Sequence, residues 1–449
     1  MTTMMKKLSI ILTVVAMAAC GGSPKSGLQK GTKEVPPPPD VTKIKPENPI
    51  EENRQVSTDA KADYAKAAEF YAAQTAWSES TCRQAADQFA SVARAHKDLI
   101  EAQYMVGRSY HNCNMAKEAE EAYQSALKVK PNHGASISNL GELYYAAGKT
   151  DGAKKYWESA IKANVKLSAA YVNLAVLQLG ELRRTKDAAA WKKLEEDTRK
   201  KLSISLAIDN ENVEAYTVYG LVYMEGFQKN RNRLDLAKLL LEEGEKRNAK
   251  YAPLQHALGL LALNKNNLTD ALGRFQAAVD LDADFAEARQ NVGLITLGTR
   301  RYDVAKEQFT RVLALEPKNY DAMIGLGVAQ RGLGDFKAAE ETYNKAKGLE
   351  PRRGEATYNL GVLYKAFFAS KEDDLDRAKA AYAKAKGYFQ EYLTKDGVSE
   401  DDREEANQNI KDCDKVMKSI DDFKKMQAAQ EAMMKSQPAP TPPPAPAPK

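Results

Sequence analysis

Small residues return along this chain at a fixed stride. Gly107, Gly141, Ala175, Gly220, Gly259, Gly293, Gly327 and Gly361 are separated by 34, 34, 45, 39, 34, 34 and 34 residues. Each directly follows a bulky residue: Val106, Leu140, Leu174, Tyr219, Leu258, Val292, Leu326 or Leu360. Tyr110, Tyr144, Tyr223 and Tyr364 stand three places further on. A second small residue comes twelve places after the first, at Ala119, Ala153, Ala271, Ala305 and Ala339. An aromatic follows four later, at Tyr123, Trp157, Phe275, Phe309 and Tyr343. Pro131, Pro317 and Pro351 close three of the units. Small residues let paired helices approach, large ones fill the space between them, and proline stops the second helix.

A 34-residue period with this internal pattern resembles the tetratricopeptide repeat, in which two antiparallel helices form a unit and the units stack. The resemblance implies an all-α fold: a right-handed superhelical solenoid of about nine helix-turn-helix repeats with a C-terminal capping helix. The units start near residues 66, 100, 134, 168, 213, 252, 286, 320 and 354, within a solenoid expected over 63–397. The first is degenerate but keeps Ala85 and Phe89. The fourth, fifth and ninth carry insertions of about 11, 5 and 5 residues. In the longest of these, Trp191, Leu194, Thr198 and Leu202 keep helical spacing, so the second helix is expected to start early. Trp191 reads either as a docking anchor or as packing for the lengthened pair.

The chain's ends carry different chemistry. Lys6 and Lys7 precede an apolar run from Leu8 to Ala19, too short to span a bilayer, which reads as a signal peptide over 1–19. Met17-Ala18-Ala19-Cys20-Gly21 resembles a bacterial lipobox, which implies lipidation of Cys20 by acyl chains such as palmitate. Gly21 after the cysteine resembles lipoproteins sorted to the outer membrane, so the body is expected to face the periplasm. Residues 20–62, with Pro36 to Pro39 in a row, read as a flexible tether. Residues 436–449 form a proline-rich tail, either a solvated end or a ligand for an aromatic groove.

Charge argues against nucleic acid. The formal net charge is +5, and acidic and basic residues are interleaved, with no basic patch. Beyond Cys20 the cysteines are Cys82, Cys113 and Cys413. Cys82 at the start of one second helix and Cys113 at the end of the next first helix fall on one edge, where an oxidising compartment would allow a disulfide. The competing arrangement, a metal held by Cys82, His111 and Cys113, lacks a fourth ligand and paired spacing. No nucleophile elbow or phosphate loop occurs. No enzyme activity, cofactor, metal or small-molecule substrate is expected.

In this repeat the first helix of each unit lines the concave surface, with positions 2, 5, 9 and 12 pointing inward. Those positions assign a peptide-binding groove. Phe70, Trp77, Tyr104, Arg108, His111, Glu142 and Tyr145 lie in the early units. Val172, Val176, Leu179, Leu221, Met224, Leu260, Leu263, Leu294 and Leu297 follow in the middle, and Arg331, Tyr358 and Lys365 at the end. An apolar lining over so many repeats is either covered by a partner segment or the chain's own C-terminal helix, or buried by tight closure of the coil. Asn139, Asn173, Asn291 and Asn359 precede the bulky residue in four units. They resemble the asparagine ladder of superhelical repeat proteins that bind a peptide backbone, although Val218, Ala257 and Gly325 interrupt it.

After Asp396-Gly397, Ser399-Glu400-Asp401-Asp402 caps a new helix over 398–435, with Ala406, Ile410, Cys413, Val416, Met417, Ile420 and Phe423 on one stripe. A lipobox fused to a long repeat array resembles the outer-membrane lipoproteins of secretin and pilus assembly and those of myxobacterial gliding-motility complexes. The expected function is a lipid-anchored scaffold that binds peptide segments of other envelope proteins in a motility or secretion machine. A pilotin-like assembly chaperone for a pore, or a regulator of a cell-wall enzyme, are the alternatives.

Overall fold

The structure, a computed structural model, describes residues 56–74, 76–228 and 230–436. The signal peptide, the lipidated Cys20, the tether up to residue 55 and the tail from 437 lie outside the described residues. Among the described residues every regular element is helical and no strand occurs. Helices α1 to α18 follow one another as nine pairs. The first four are α1 (Thr58–Ala72) with α2 (Glu79–Ala95), α3 (Ile100–His111) with α4 (Ala116–Val129), α5 (Gly134–Ala146) with α6 (Thr150–Ala163), and α7 (Ser168–Arg184) with α8 (Ala188–Ile208). Then come α9 (Val213–Met224) and α10 (Arg233–Arg247), α11 (Ala252–Asn264) and α12 (Leu268–Leu281), and α13 (Ala286–Gly298) and α14 (Tyr302–Leu315). The last pairs are α15 (Tyr320–Gly332) with α16 (Phe336–Leu349), and α17 (Glu355–Leu363) with α18 (Leu375–Tyr392). A single helix, α19 (Glu400–Ser436), ends the array.

These residues form two compact units that divide after Ile295. In the first, α1 to α12 pack pair by pair, and each second helix also packs on the next first helix. The first helices α5, α7, α9 and α11 touch in succession, which makes one continuous wall. In the second unit α14 to α19 pack in the same sequential manner.

The recurring glycine has a steric cause. A Cβ on Gly141 would lie 2.5 Å from Nε1 of Trp157, and one on Gly327 would lie 2.4 Å from the Tyr343 ring. Only a bare Cα lets the first helix seat this close to the aromatic of the second, and those aromatics are fully buried. Among the described residues, the turns inside five of the nine pairs are equally regular. Asn114, Gly148, Asn266, Arg300 and Gly334 all take positive φ, between 56° and 84°, at equivalent positions. Asparagine and glycine tolerate that conformation best, so arginine at 300 is the exception.

Two departures from the sequence expectation stand beside one open choice, the role of Trp191, that the structure decides. The first unit begins at Thr58, capped by Ser57 Oγ, rather than near 63 or 66. α1 ends at Ala72 and α2 begins at Glu79, a wider gap than in the next three pairs, which sets α1 earlier along the chain. The insertion in the fourth unit lengthens both helices, and Trp191 packs within 3.2 Å of where a side chain on Gly226 would lie. The Arg233 guanidinium lies over the Trp191 ring at 5.5 Å and bonds Glu195 at 3.1 Å, so Trp191 is held in the fold. Finally, the apolar stripe of α19 is covered at Ala406, Cys413 and Ile420, but Phe423 is 49% exposed.

Candidate binding wall

In the first unit the wall begins with an aromatic and polar cluster. Asn139 Nδ2 on α5 donates to the hydroxyls of Tyr123 (2.9 Å) and Tyr104 (3.2 Å). The Tyr123 hydroxyl then has its proton free to donate to Nδ1 of His111 at 3.3 Å. Burial, with the nearby Arg108 charge adding to it, lowers the His111 pKa to about 4. Tyr104, Tyr123, Tyr71 and Glu142 surround Arg108 and raise its guanidinium pKa. The ring of Trp77 packs on Tyr71 with centroids 4.9 Å apart, and Phe70 packs on the same cluster.

Further along, Asn173 Nδ2 on α7 donates to Glu142 Oε1 on α5 at 3.3 Å. Burial raises the Glu142 carboxyl, opposed by the Arg108 charge and the Asn173 bond. On α9, burial and then repulsion from Glu142 raise Glu214 to about 7. Tyr251, just ahead of α11, is raised by burial and by the Glu214 charge. Arg183 on α7 pairs with Glu225 at 2.7 Å. On α11, burial and the Arg183 charge lower His256 to about 4, and Asn291 on α13 lies 3.0 Å from its Nε2. Arg108, Glu142 and Glu214 each keep some surface open to solvent although protein closes round them, as expected of residues lining a hollow.

The predicted groove residues therefore divide. Phe70, Trp77, Tyr104, Arg108, Tyr145, Val176, Leu221 and Leu263 are half-buried. Val172, Leu179, Met224, Leu260, Leu294 and Leu297 are buried by the chain itself, none more than 7% exposed. Val172 and Leu179 belong to the core shared with Leu202, Ala215 and Val222. The asparagines are spent locally: Asn139 on tyrosines, Asn173 on Glu142, Asn291 on His256. Asn359, in the second unit, bonds Arg331 and the Glu355 carbonyl. Within that unit α19 covers the inward positions of the last pair, since Tyr358 bonds Glu405 and Lys365 bonds Asp412 and Asn409.

Register reading missed Glu214, Tyr251 and Arg183. Glu214 occupies position 2 of its unit, so the rule that selected Leu221 selects it too. Cys82 and Cys113 are joined as a disulfide, with Cα atoms 6.3 Å apart, and Cys413 is a buried thiol. Among the described residues no three His, Cys, Asp or Glu side chains are placed to hold a metal ion. No helix among them is long and apolar enough to cross a membrane.

Residues 100–133, 138–195 and 293–355 match family models described as tetratricopeptide repeat. The all-helical paired array is the fold of that repeat, which in the proteins that carry it serves protein–protein interaction. No curated protein matches the chain. Among solved structures, TTC0263 of Thermus thermophilus, a thermophilic TPR protein, is 24% identical. It matches 44% of this chain and 98% of its own at a TM-score of 0.37. Pseudomonas aeruginosa pilF is 19% identical over 50% of this chain and 95% of that one, with a TM-score of 0.37. The human IFIT1 dimer is 16% identical over 74% of this chain and 81% of its own, with a TM-score of 0.48.

Proposed function

We propose that this chain is a lipid-anchored periplasmic scaffold of the outer membrane that docks peptide segments of partner proteins within a multi-protein envelope machine of motility or secretion. The observation that carries the docking role is the half-open stretch of wall in the first unit. Tyr104, Arg108, Tyr145, Val176 and Leu221 sit on successive first helices and keep surface available, while the flanking leucines are sealed. Aromatic and arginine anchors set among buried apolar neighbours are the residue types that dominate peptide affinity. The compartment reading draws on the Cys82–Cys113 disulfide, which persists in oxidising surroundings, and on the leader and lipobox-like residues ending at Cys20.

The test is site-specific photocrosslinking in intact membranes. A photoreactive residue at Leu221 is expected to capture a discrete partner, whereas one at Leu239, 64% exposed on α10, is not. Equal capture from both positions, or none from Leu221, overturns the docking role. Cys20→Ser is expected to lose palmitate label and leave the membrane fraction. A variant that stays membrane-bound overturns the anchor.

A further inference from the structure

The acidic stretch of the wall deepens this reading and rests on it. Glu142 on α5 and Glu214 on α9 stand on either side of α7, which packs on both helices. Their situations differ. Glu142 receives Asn173 Nδ2 at 3.3 Å and feels the Arg108 charge. Glu214 has no such help: its Oε1 is shut off from solvent and accepts no hydrogen bond. A buried carboxylate oxygen without a donor is rare in folded proteins, because it has lost water and gained nothing. In the first turn of α9 the Ala215 and Tyr216 N–H groups go to Asn212, so the donor that Oε1 lacks is a water, another side chain or a ligand.

The like charge opposite selects the kind of donor. A neutral N–H would satisfy one lone pair and leave two carboxylates repelling each other. A cation satisfies the oxygen and removes the repulsion together. The other charges nearby do not supply it: Arg108 acts on Glu142, and Arg183 is taken by Glu225 at 2.7 Å. His256 is held neutral, and Tyr251 carries no charge at neutral pH. Val176 on α7 and Leu221 on α9 occupy the register position that Glu142 holds on α5, and both are half-buried. Such a floor suits the methylene stem of a long basic side chain.

We propose that Glu214, with Glu142 beside it, receives a lysine or arginine side chain carried by a partner polypeptide, whose stem lies along Val176 and Leu221. The groove thereby reads one basic residue of the docked segment.

The probe is acetyl-Ala-Ala-Lys-Ala-Ala-amide with an N-terminal benzophenone, photolysed with the full chain at physiological salt and mapped by mass spectrometry. Adducts are expected in α5, α7 and α9. Replacing lysine by norleucine, or Glu214 by Gln, is expected to reduce them about tenfold, the scale of a charge-assisted bond. Labelling is expected to rise from pH 6 to pH 8 in the native chain as Glu214 ionises, and to stay flat in Glu214→Gln. Glu214→Gln keeps the side-chain shape, and an unchanged circular dichroism spectrum confirms its fold. Equal labelling by lysine and norleucine, or labelling that survives Glu214→Gln in the folded variant, overturns the proposal. Neither outcome touches the crosslink from Leu221 in membranes, which tests the scaffold alone.

Discussion

Asn291 Nδ2 and His256 Nε2 lie 3.0 Å apart in the interior of the first unit, both side chains more than nine-tenths buried. An amide N–H can only donate, so Nε2 must accept, and His256 is neutral with its proton on Nδ1. Protonation would break that bond and bury a charge. Burial and the Arg183 charge accordingly lower the His256 pKa from 6.5 to about 4. The unfolded chain takes up the proton first, so stability is present above pH 6.5 and is lost as pH falls toward 4. At pH 5 the loss from His256 amounts to about 2 kcal/mol. His256→Gln is expected to flatten this acid limb, measured as urea midpoints at pH 7 and pH 5. Glu214 works in the opposite sense. Its raised pKa favours the folded state below about 7, so Glu214→Gln should gain stability at pH 8 and lose that gain by pH 4.5.

Gly141 faces Trp157, whose Nε1 donates to the Ser138 carbonyl at 3.0 Å. A methyl at Gly141 would arrive 2.5 Å from that nitrogen. The helices must separate or the indole must turn, and either breaks the bond. Gly141→Ala is expected to cost about 1–3 kcal/mol in chemical denaturation, the usual penalty of overpacking. Gly273→Ala on α12 is the counter-case, since nothing lies within 4 Å of its added carbon. There the better helix former should stabilise by up to about 1 kcal/mol.

The fold was legible because its signal repeats. The same glycine-to-aromatic contact recurs along the chain, so Gly141 against Trp157 and Gly327 against Tyr343 announce one geometry many times. The wall was less so. Register says that Leu260 and Leu221 both point inward, yet Leu260 is 6% exposed and Leu221 half-buried. That difference depends on how closely neighbouring first helices approach, which no single position encodes. The asparagines show the same limit: their spacing suggested a free ladder, but Asn173 and Asn291 each have a titratable neighbour to satisfy. In the last pair the covering element was α19 itself, and the pairing of Lys365 with Asp412 joins residues far apart in sequence.

Arg300 holds φ at 61° in the turn before α14. The equivalent places in two other units are Gly148 and Gly334. A side chain with a Cβ is strained in this region by about 1 kcal/mol, and glycine is not. Arg300→Gly is therefore expected to stabilise the second unit by about 0.5–1 kcal/mol, less the entropy that glycine adds to the unfolded chain. Thermal melting compares it with the native chain. A lower melting temperature would show that the arginine side chain contributes more than the turn conformation costs.

The Cys82–Cys113 bond ties α2 to the end of α3 across 31 residues. It holds the first hairpin, whose second helix carries Ala85 and Phe89 but which has no neighbour before it in the described array. Cross-linking a loop of this length restricts the unfolded chain and contributes about 2–4 kcal/mol. In an array where each unit leans on the next, that contribution should be felt locally rather than throughout. Cys82→Ser with Cys113→Ala is expected to expose α1 and α2 to amide hydrogen exchange and to protease while α5 to α12 keep their protection. Dithiothreitol on the native chain should reproduce the pattern. Uniform loss of protection along the first unit would mean that its hairpins unfold as one block, and unchanged protection of α1 would mean that packing of Tyr64 and Tyr71 on Phe89 holds the hairpin without the bond.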